Sequence, residues 1–210
     1  MISIHALSHR YRESEVLRLP AWNAAPGECW LVHGPSGCGK TTLLHVIAGL
    51  VRPSAGSVKV AGEDLLALRG SKLDRWRGAT LGIVLQAMHL VSHLSVIDNM
   101  RLAQYAARVP QDDARAAEAL AALGVADKAA RRPSELSQGE RQRIAIARAV
   151  VNGSKLLLAD EPTASLDDEA AARAVELLST QAKKHRATLV VATHDARVKR
   201  HFEKRLELPA

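Results

Sequence analysis

Aromatic residues are scarce in this chain: 210 residues include one Phe, two Tyr and three Trp. Proteins that hold single-stranded nucleic acid stack bases on rings set among basic residues. The formal charge of +7 is therefore weak support for such a partner, and no nucleic-acid partner is expected. The basic residues are scattered through "RGSKLDRWR", "ERQRIAIAR" and "RVKRHFEKR", which read as solvated faces or contacts to an anionic surface. Cysteine is as sparse. Cys29 and Cys38 build neither a disulfide framework nor a zinc cluster, and both read as reduced thiols. No apolar run approaches the ~18 residues of a membrane-spanning helix, and "MISIHALSHRYRES" is too polar for a secretory signal. A cytoplasmic chain of one domain, with room for a modest insertion, is expected from the length.

Against that background residues 33–42 read "HGPSGCGKTT". Such a bare stretch leaves backbone amides free to converge on one point, and that point reads as an anion. Gly34, Gly39, Lys40 and Thr41 satisfy G-x-x-x-x-G-K-[ST], in which amides cradle phosphates, the lysine reaches the β/γ-phosphates and the hydroxyl lies on Mg²⁺. The flanks agree. "ECWLV" reads as a short buried strand, and Leu43, Leu44, Ile47 and Leu50 recur at helical spacing, so the loop falls between strand and helix.

The first twenty residues read as a hairpin, "ISIHAL" and "EVLRL" around "SHRYRES", and "GSVKVAGEDL" as a further strand pair about a Gly turn. The weakly apolar "LRLPAWNAAPGE" predicts a short second strand. "TLGIVLQ", "KLLLAD" and "ATLVVAT" are continuous apolar runs of the kind buried on both faces of a parallel sheet, alternating with helical segments such as "AARAVELLSTQAKKH". Residues 87–135 lose strand character; "DDARAAEALAALG" reads as a helix stopped by Gly124.

Two further runs carry chemistry. In "KLLLADEPTASLD" an apolar strand ends in adjacent carboxylates, Asp160 and Glu161; the first points where it can hold Mg²⁺ through water, and the second can take a proton from a water aimed at a γ-phosphate. In "ELSQGERQRIAIARAV" Ser137 and Glu140 form a capping box, with Ile144, Ala147 and Val151 on one face of the helix that follows. The box does not account for Gly139, which is costly at a helix start unless something comes close to the backbone.

With these three runs the chain resembles the ATP-binding cassette (ABC) nucleotide-binding domains. "GPSGCGKTT" is similar to the Walker A motif, "LSQGE" to the signature, "LLLADE" to Walker B with Glu161 as catalytic carboxylate, and "SLD" at 165–167 to the D-loop. Gln86 matches the Q-loop, His194 the switch histidine, and Tyr11 the ring stacked on adenine. The signature departs from the usual pattern at Gln138, where Gly is common, and at Glu140, where Gln is common.

The resemblance implies an α/β fold: a P-loop NTPase core with a mostly parallel sheet (1–86 and 136–210), an N-terminal antiparallel β-subdomain, and an inserted helical subdomain at 87–135. It implies an ATPase using ATP and Mg²⁺. Pro35, Ser36, Gly37, Cys38 and Thr42 would join Gly34, Gly39, Lys40 and Thr41 on the nucleotide. Thr41, Gln86 and Asp160 would serve the metal. Ser137, Gln138, Gly139 and Asp167 would contact a nucleotide across a head-to-tail dimer with a second copy. Glu161, Gln86 and His194 would be catalytic.

The compact chain is most similar to the lipoprotein-releasing and macrolide-export branch, with the cell-division and amino-acid uptake branches as neighbours. That branch implies an integral membrane permease as partner and a place on the inner face of the cell membrane. The alternative is a soluble ABC ATPase acting on nucleic acid or ribosomes, which usually adds arms, zinc modules or a second cassette that this length leaves no room for. A GTPase is disfavoured by the absence of an N-K-x-D run. Leu90, Val91, Leu94, Val96 and Ile97 are expected in part to line a groove beside Gln86 for a short permease helix.

Overall fold

The computed structural model describes residues 1–164 and 166–209; Ser165, part of the D-loop match, lies outside the described residues. The chain opens with β1 (Ile2–Tyr11) paired antiparallel to β2 (Ser14–Ala24) around a turn of Arg12 and Glu13. Both strands outrun the expected hairpin. β2 is the correction to the short-strand reading: Leu17, Leu19, Trp22 and Ala24 all turn inward. Pro20 does not break it, because β2 is an edge strand where a missing N–H costs no ladder bond.

β3 (Cys29–His33) leads into α1 (Lys40–Ile47), followed by β4 (Ala55–Val60), β5 (Glu63–Asp64), α2 (Gly70–Thr80) and β6 (Leu81–Val84). α1 stops before the expected Leu50, which is 49% exposed, and Gly49 takes a φ of 65° just past the helix. Next come α3 (Val96–Ala106), α4 (Asp113–Ala121) and α5 (Gln138–Val150). β7 (Leu156–Asp160), α6 (Asp168–His185), β8 (Thr188–Ala192) and β9 (Lys204–Glu207) complete the order. Residues 87–135 hold α3, α4 and two 3-10 turns, and no strand.

The strands form two sheets, antiparallel β2-β1-β4-β5 and parallel β6-β7-β8-β3-β9, so the fold is α/β. β7 and β8 are buried at every position, as apolar runs covered on both faces must be. Their side chains alternate between two cores. Leu157, Ala159, Leu189 and Val191 face Ile144, Ile146 and Phe202 on one side; Leu156, Leu158, Val190 and Ala192 face Leu43, Ile47 and the antiparallel sheet on the other. α2 and β9 overlap two of the runs read as basic. β9 pairs with β3, setting Arg205 opposite Leu31.

Candidate functional site

β3 and β7 end at His33 and Asp160, and the sheet thereby brings the "HGPSGCGKTT" loop and the paired carboxylates to one end of the core. Two glycines of the loop are fixed by close approach. A Cβ on Gly34 would sit 2.4 Å from the Leu208 carbonyl oxygen, and one on Gly39, at φ 92°, would sit 2.3 Å from that of Val16. Pro35, Ser36 and Gly37 form the exposed crest, while Cys38 is half-buried.

Lys40 is 7% exposed. Its Nζ donates to the carbonyls of Gly34 at 3.0 Å and Pro35 at 2.8 Å and lies 3.8 Å from Cys38 Sγ. Its charge therefore rests on loop carbonyls and on no carboxylate among the described residues. Thr42 packs inward, whereas the Thr41 hydroxyl is presented outward and donates to Asp160 Oδ1 at 3.2 Å. Burial pushes the Asp160 carboxyl above its ordinary value, against the Thr41 hydrogen bond. A carboxyl displaced upward by desolvation is one that a cation would return to its charged form, and a hydroxyl beside a carboxylate is a hard oxygen set. The pair fits Mg²⁺.

Glu161 takes a left-handed φ of 45°, an uncommon conformation for a residue with a Cβ. Its N–H donates to the Ala192 carbonyl at 2.8 Å, which turns the side chain toward the end of β8. There Oε2 accepts from the Thr193 hydroxyl at 2.7 Å, and Oε1 accepts from the His194 N–H at 3.2 Å. His194 Nδ1 lies 2.7 Å from Oε1; carboxylate oxygens only accept, so Nδ1 is the donor. The expected Glu161 and His194 are thus joined, and Thr193, which no local pattern in the sequence marks, is the third member. Thr193 differs from any strand-end Thr only once β7 and β8 lie side by side. Beyond it, Arg197 holds the Asp195 carboxyl down to about 2.

Gln86 is exposed just past β6 and shares a crevice with Glu161 and Gln138. Met88 and His89 both have positive φ, 57° and 46°. Arg148 of α5 fastens them, donating to the Met88 carbonyl at 2.5 Å and the His89 carbonyl at 2.6 Å, while burial pulls its guanidinium below the ordinary value.

The capping box forms as read: the Glu140 N–H donates to Ser137 Oγ at 3.3 Å, and Glu140 Oε2 accepts from the Ser137 N–H at 2.8 Å. Beyond its own turn of helix, a Cβ on Gly139 would meet nothing among the described residues nearer than Arg143 Nη1, at 3.8 Å. The chain's own packing does not call for glycine there. Asp167 caps α6, accepting from the Ala170 N–H at 2.8 Å. Tyr11 ends β1, 49% exposed.

The apolar stretch after Gln86 is largely closed by its own contacts. Val96 is buried, and Asn99 Oδ1 accepts from the Val91 N–H at 2.8 Å while its Nδ2 donates to the Ser95 carbonyl at 2.9 Å. The groove of about 560 Å³ lies beside it, lined by Leu81, Ile83, Leu102, Ala103, Ala107 and Arg148. None of the expected residues, Leu90, Val91, Leu94, Val96 and Ile97, lines it. No helix among the described residues is long and apolar enough to cross a membrane.

A sequence profile of the family described as ABC transporter matches residues 18–164. The chain is 37% identical to the lipoprotein-releasing system ATP-binding protein LolD 1 of Rhodopirellula baltica, over 99% of this chain and 93% of that protein. It is also 37% identical to the macrolide export ATP-binding/permease protein MacB of Rhodopseudomonas palustris, over 87% of this chain but 28% of that protein. The fold superposes on the dimeric structure of MJ0796, a bacterial ABC transporter cassette, with a TM-score of 0.90 and 30% identity, covering 100% of this chain and 94% of that one. The same cassette has been described in a dimeric post-hydrolysis state bound to ADP and Pi. The chain belongs to the ABC transporter family and is an ATPase.

Proposed function

We propose that the chain is the ATP-hydrolysing subunit of a lipoprotein-release or macrolide-export type complex, in which it pairs with a second copy and drives an integral membrane permease from the cytoplasmic face. The observation that carries this reading is the match to LolD 1 of Rhodopirellula baltica, which spans nearly all of both chains. The dimeric MJ0796 cassette supports the pairing.

In this reading the loop amides of residues 34–39 and the Lys40 ammonium bind the phosphates, and the exposed face of Tyr11 takes the adenine. Thr41 and Asp160 would hold Mg²⁺ with Gln86 beside them; when bound, the ion neutralises phosphate charge. Glu161, held by Thr193 and His194, orients a water and accepts its proton. Ser137, Gln138, Gly139 and Asp167 of each copy seal the nucleotide of the other, with Gly139 leaving its backbone open to that approach.

The chain then divides into a nucleotide-binding core, 1–86 and 136–210, and a helical arm, 87–135, that shares the groove at Leu102 and Ala103 with the permease. The test is purification of the affinity-tagged chain from its native membrane. Recovery with a permease carrying a large extracytoplasmic domain is expected; recovery free of any membrane subunit overturns the reading.

A further inference from the structure

His9 is 8% exposed, and neither ring nitrogen has a hydrogen-bond partner among the described residues. Its position in β1 is an inward one, two residues after the buried Leu7. An apolar residue would fill that place without burying two polar atoms, so core packing alone does not explain an imidazole there. What the ring does touch is Tyr11: the centroids lie 4.6 Å apart at 83°, an edge-to-face contact.

The backbone between these rings is irregular. The β1–β2 register shifts between His9 and Arg10, and beyond Tyr11 the turn begins with Arg12 at φ 56°. Arg10 is taken up by an ion pair with Glu15 at 3.7 Å. Tyr11 therefore sits at the last paired position of the strand, opposite Ser14 and beside the turn, half exposed, with His9 as its ring contact. On its other side His9 pairs with Leu17 across the hairpin, and Leu17 in turn lies against Gly39, within 3.4 Å of where a Cβ would stand. His9 thus links the Tyr11 ring to the wall of the phosphate loop.

We infer that His9 is a positioning residue for nucleotide binding, holding the Tyr11 ring edge-on at a fixed distance from the phosphate loop so that one ring face stays open to the base. The inference rests on the reading of Tyr11 as the base-stacking ring. A held ring loses less freedom when the base arrives, so the effect belongs to affinity for base-bearing nucleotides and leaves the chemical step alone.

The experiment compares the steady-state KM for ATP with the inhibition constant of ribose 5-triphosphate, which carries the phosphates without a base. His9→Leu removes the ring edge; it is expected to raise the KM for ATP by about 2- to 10-fold, the range of an edge-to-face pair. The kcat and the ribose 5-triphosphate constant should stay unchanged. His9→Phe, which keeps an aromatic edge, should restore the KM, and both variants should melt no lower than the parent because the unpartnered nitrogens are gone. In a Tyr11→Ala background the His9→Leu effect should vanish. Equal losses for ATP and ribose 5-triphosphate, additivity with Tyr11→Ala, or failure of His9→Phe to restore overturns the positioning role. If Tyr11→Ala by itself leaves the preference for ATP over ribose 5-triphosphate unchanged, the Tyr11 reading falls first and takes the inference with it.

Discussion

Glu161 and His194 meet across 2.7 Å at the ends of neighbouring parallel strands, with the Thr193 hydroxyl closing on the other carboxylate oxygen at the same distance. The carboxylate is therefore aimed by side chains of the chain itself. A group held in this way loses little freedom when a water comes within reach.

Glu161→Gln keeps an acceptor for one of these donors but cannot take a proton. ATP binding should be retained and turnover slowed by roughly 10²-fold or more. With hydrolysis blocked, a dimer should accumulate in Mg-ATP. Light scattering reads the mass, and a variant that binds ATP yet stays monomeric contradicts the sandwich arrangement.

Thr193→Val removes the Oε2 donor while preserving the shape of a side chain that is 1% exposed. Hydrogen bonds to charged groups contribute about 1.5–3 kcal/mol, so a fall in kcat of roughly 10-fold or more is expected with the KM for ATP unchanged. Matched loss of kcat and nucleotide affinity would mean that Thr193 supports the fold of the loop and not the aim of Glu161.

Asp160 and Asp195 should tilt the pH dependence of stability in opposite directions. Burial raises the folded-state Asp160 value above the ordinary 3.8, so stability falls as pH rises from 3.8 through the raised value. Arg197 lowers Asp195 to about 2; its contribution is present above 3.8 and is lost as pH falls toward 2. Asp160→Asn should raise the Tm of the nucleotide-free chain at neutral pH while depressing ATPase activity, and Asp195→Asn should lower the Tm there. A fall in Tm for Asp160→Asn would show that the Thr41 contact outweighs the burial cost.

Leu102 is 40% exposed on α3 and lines the groove. Leu102→Glu should leave folding and basal ATPase activity nearly intact and abolish stimulation by the permease in reconstituted membranes. Surviving stimulation would move the docking surface elsewhere.

The phosphate loop, the carboxylate pair and the capping box were legible because each is a contiguous run whose chemistry depends on near neighbours. Burial on both faces likewise made β7 and β8 readable from composition. The misses have physical causes of the opposite kind. "LRLPAWNAAPGE" looked too weakly apolar for a long strand because its place on a sheet edge, with one face exposed, is a tertiary fact. "KRLE" looked like a charged surface because its strand lies at the margin of the sheet. Thr193 and Glu161 are separated by 32 residues, and nothing local to either announces the other. The groove was expected from apolar residues that Asn99 in fact ties into their own turn.

The grip of Arg148 on the Met88 and His89 carbonyls makes a spacer of α5. Its 13 residues form a rod of about 20 Å; one end is the exposed Ser137 cap, and the other holds the backbone two residues beyond Gln86. The exposed turn at Ser137 and the backbone beyond Gln86 are therefore held at a fixed separation by one helix. Two left-handed residues in succession turn the chain at that far end, and the Arg148 side chain is what holds the turn in place.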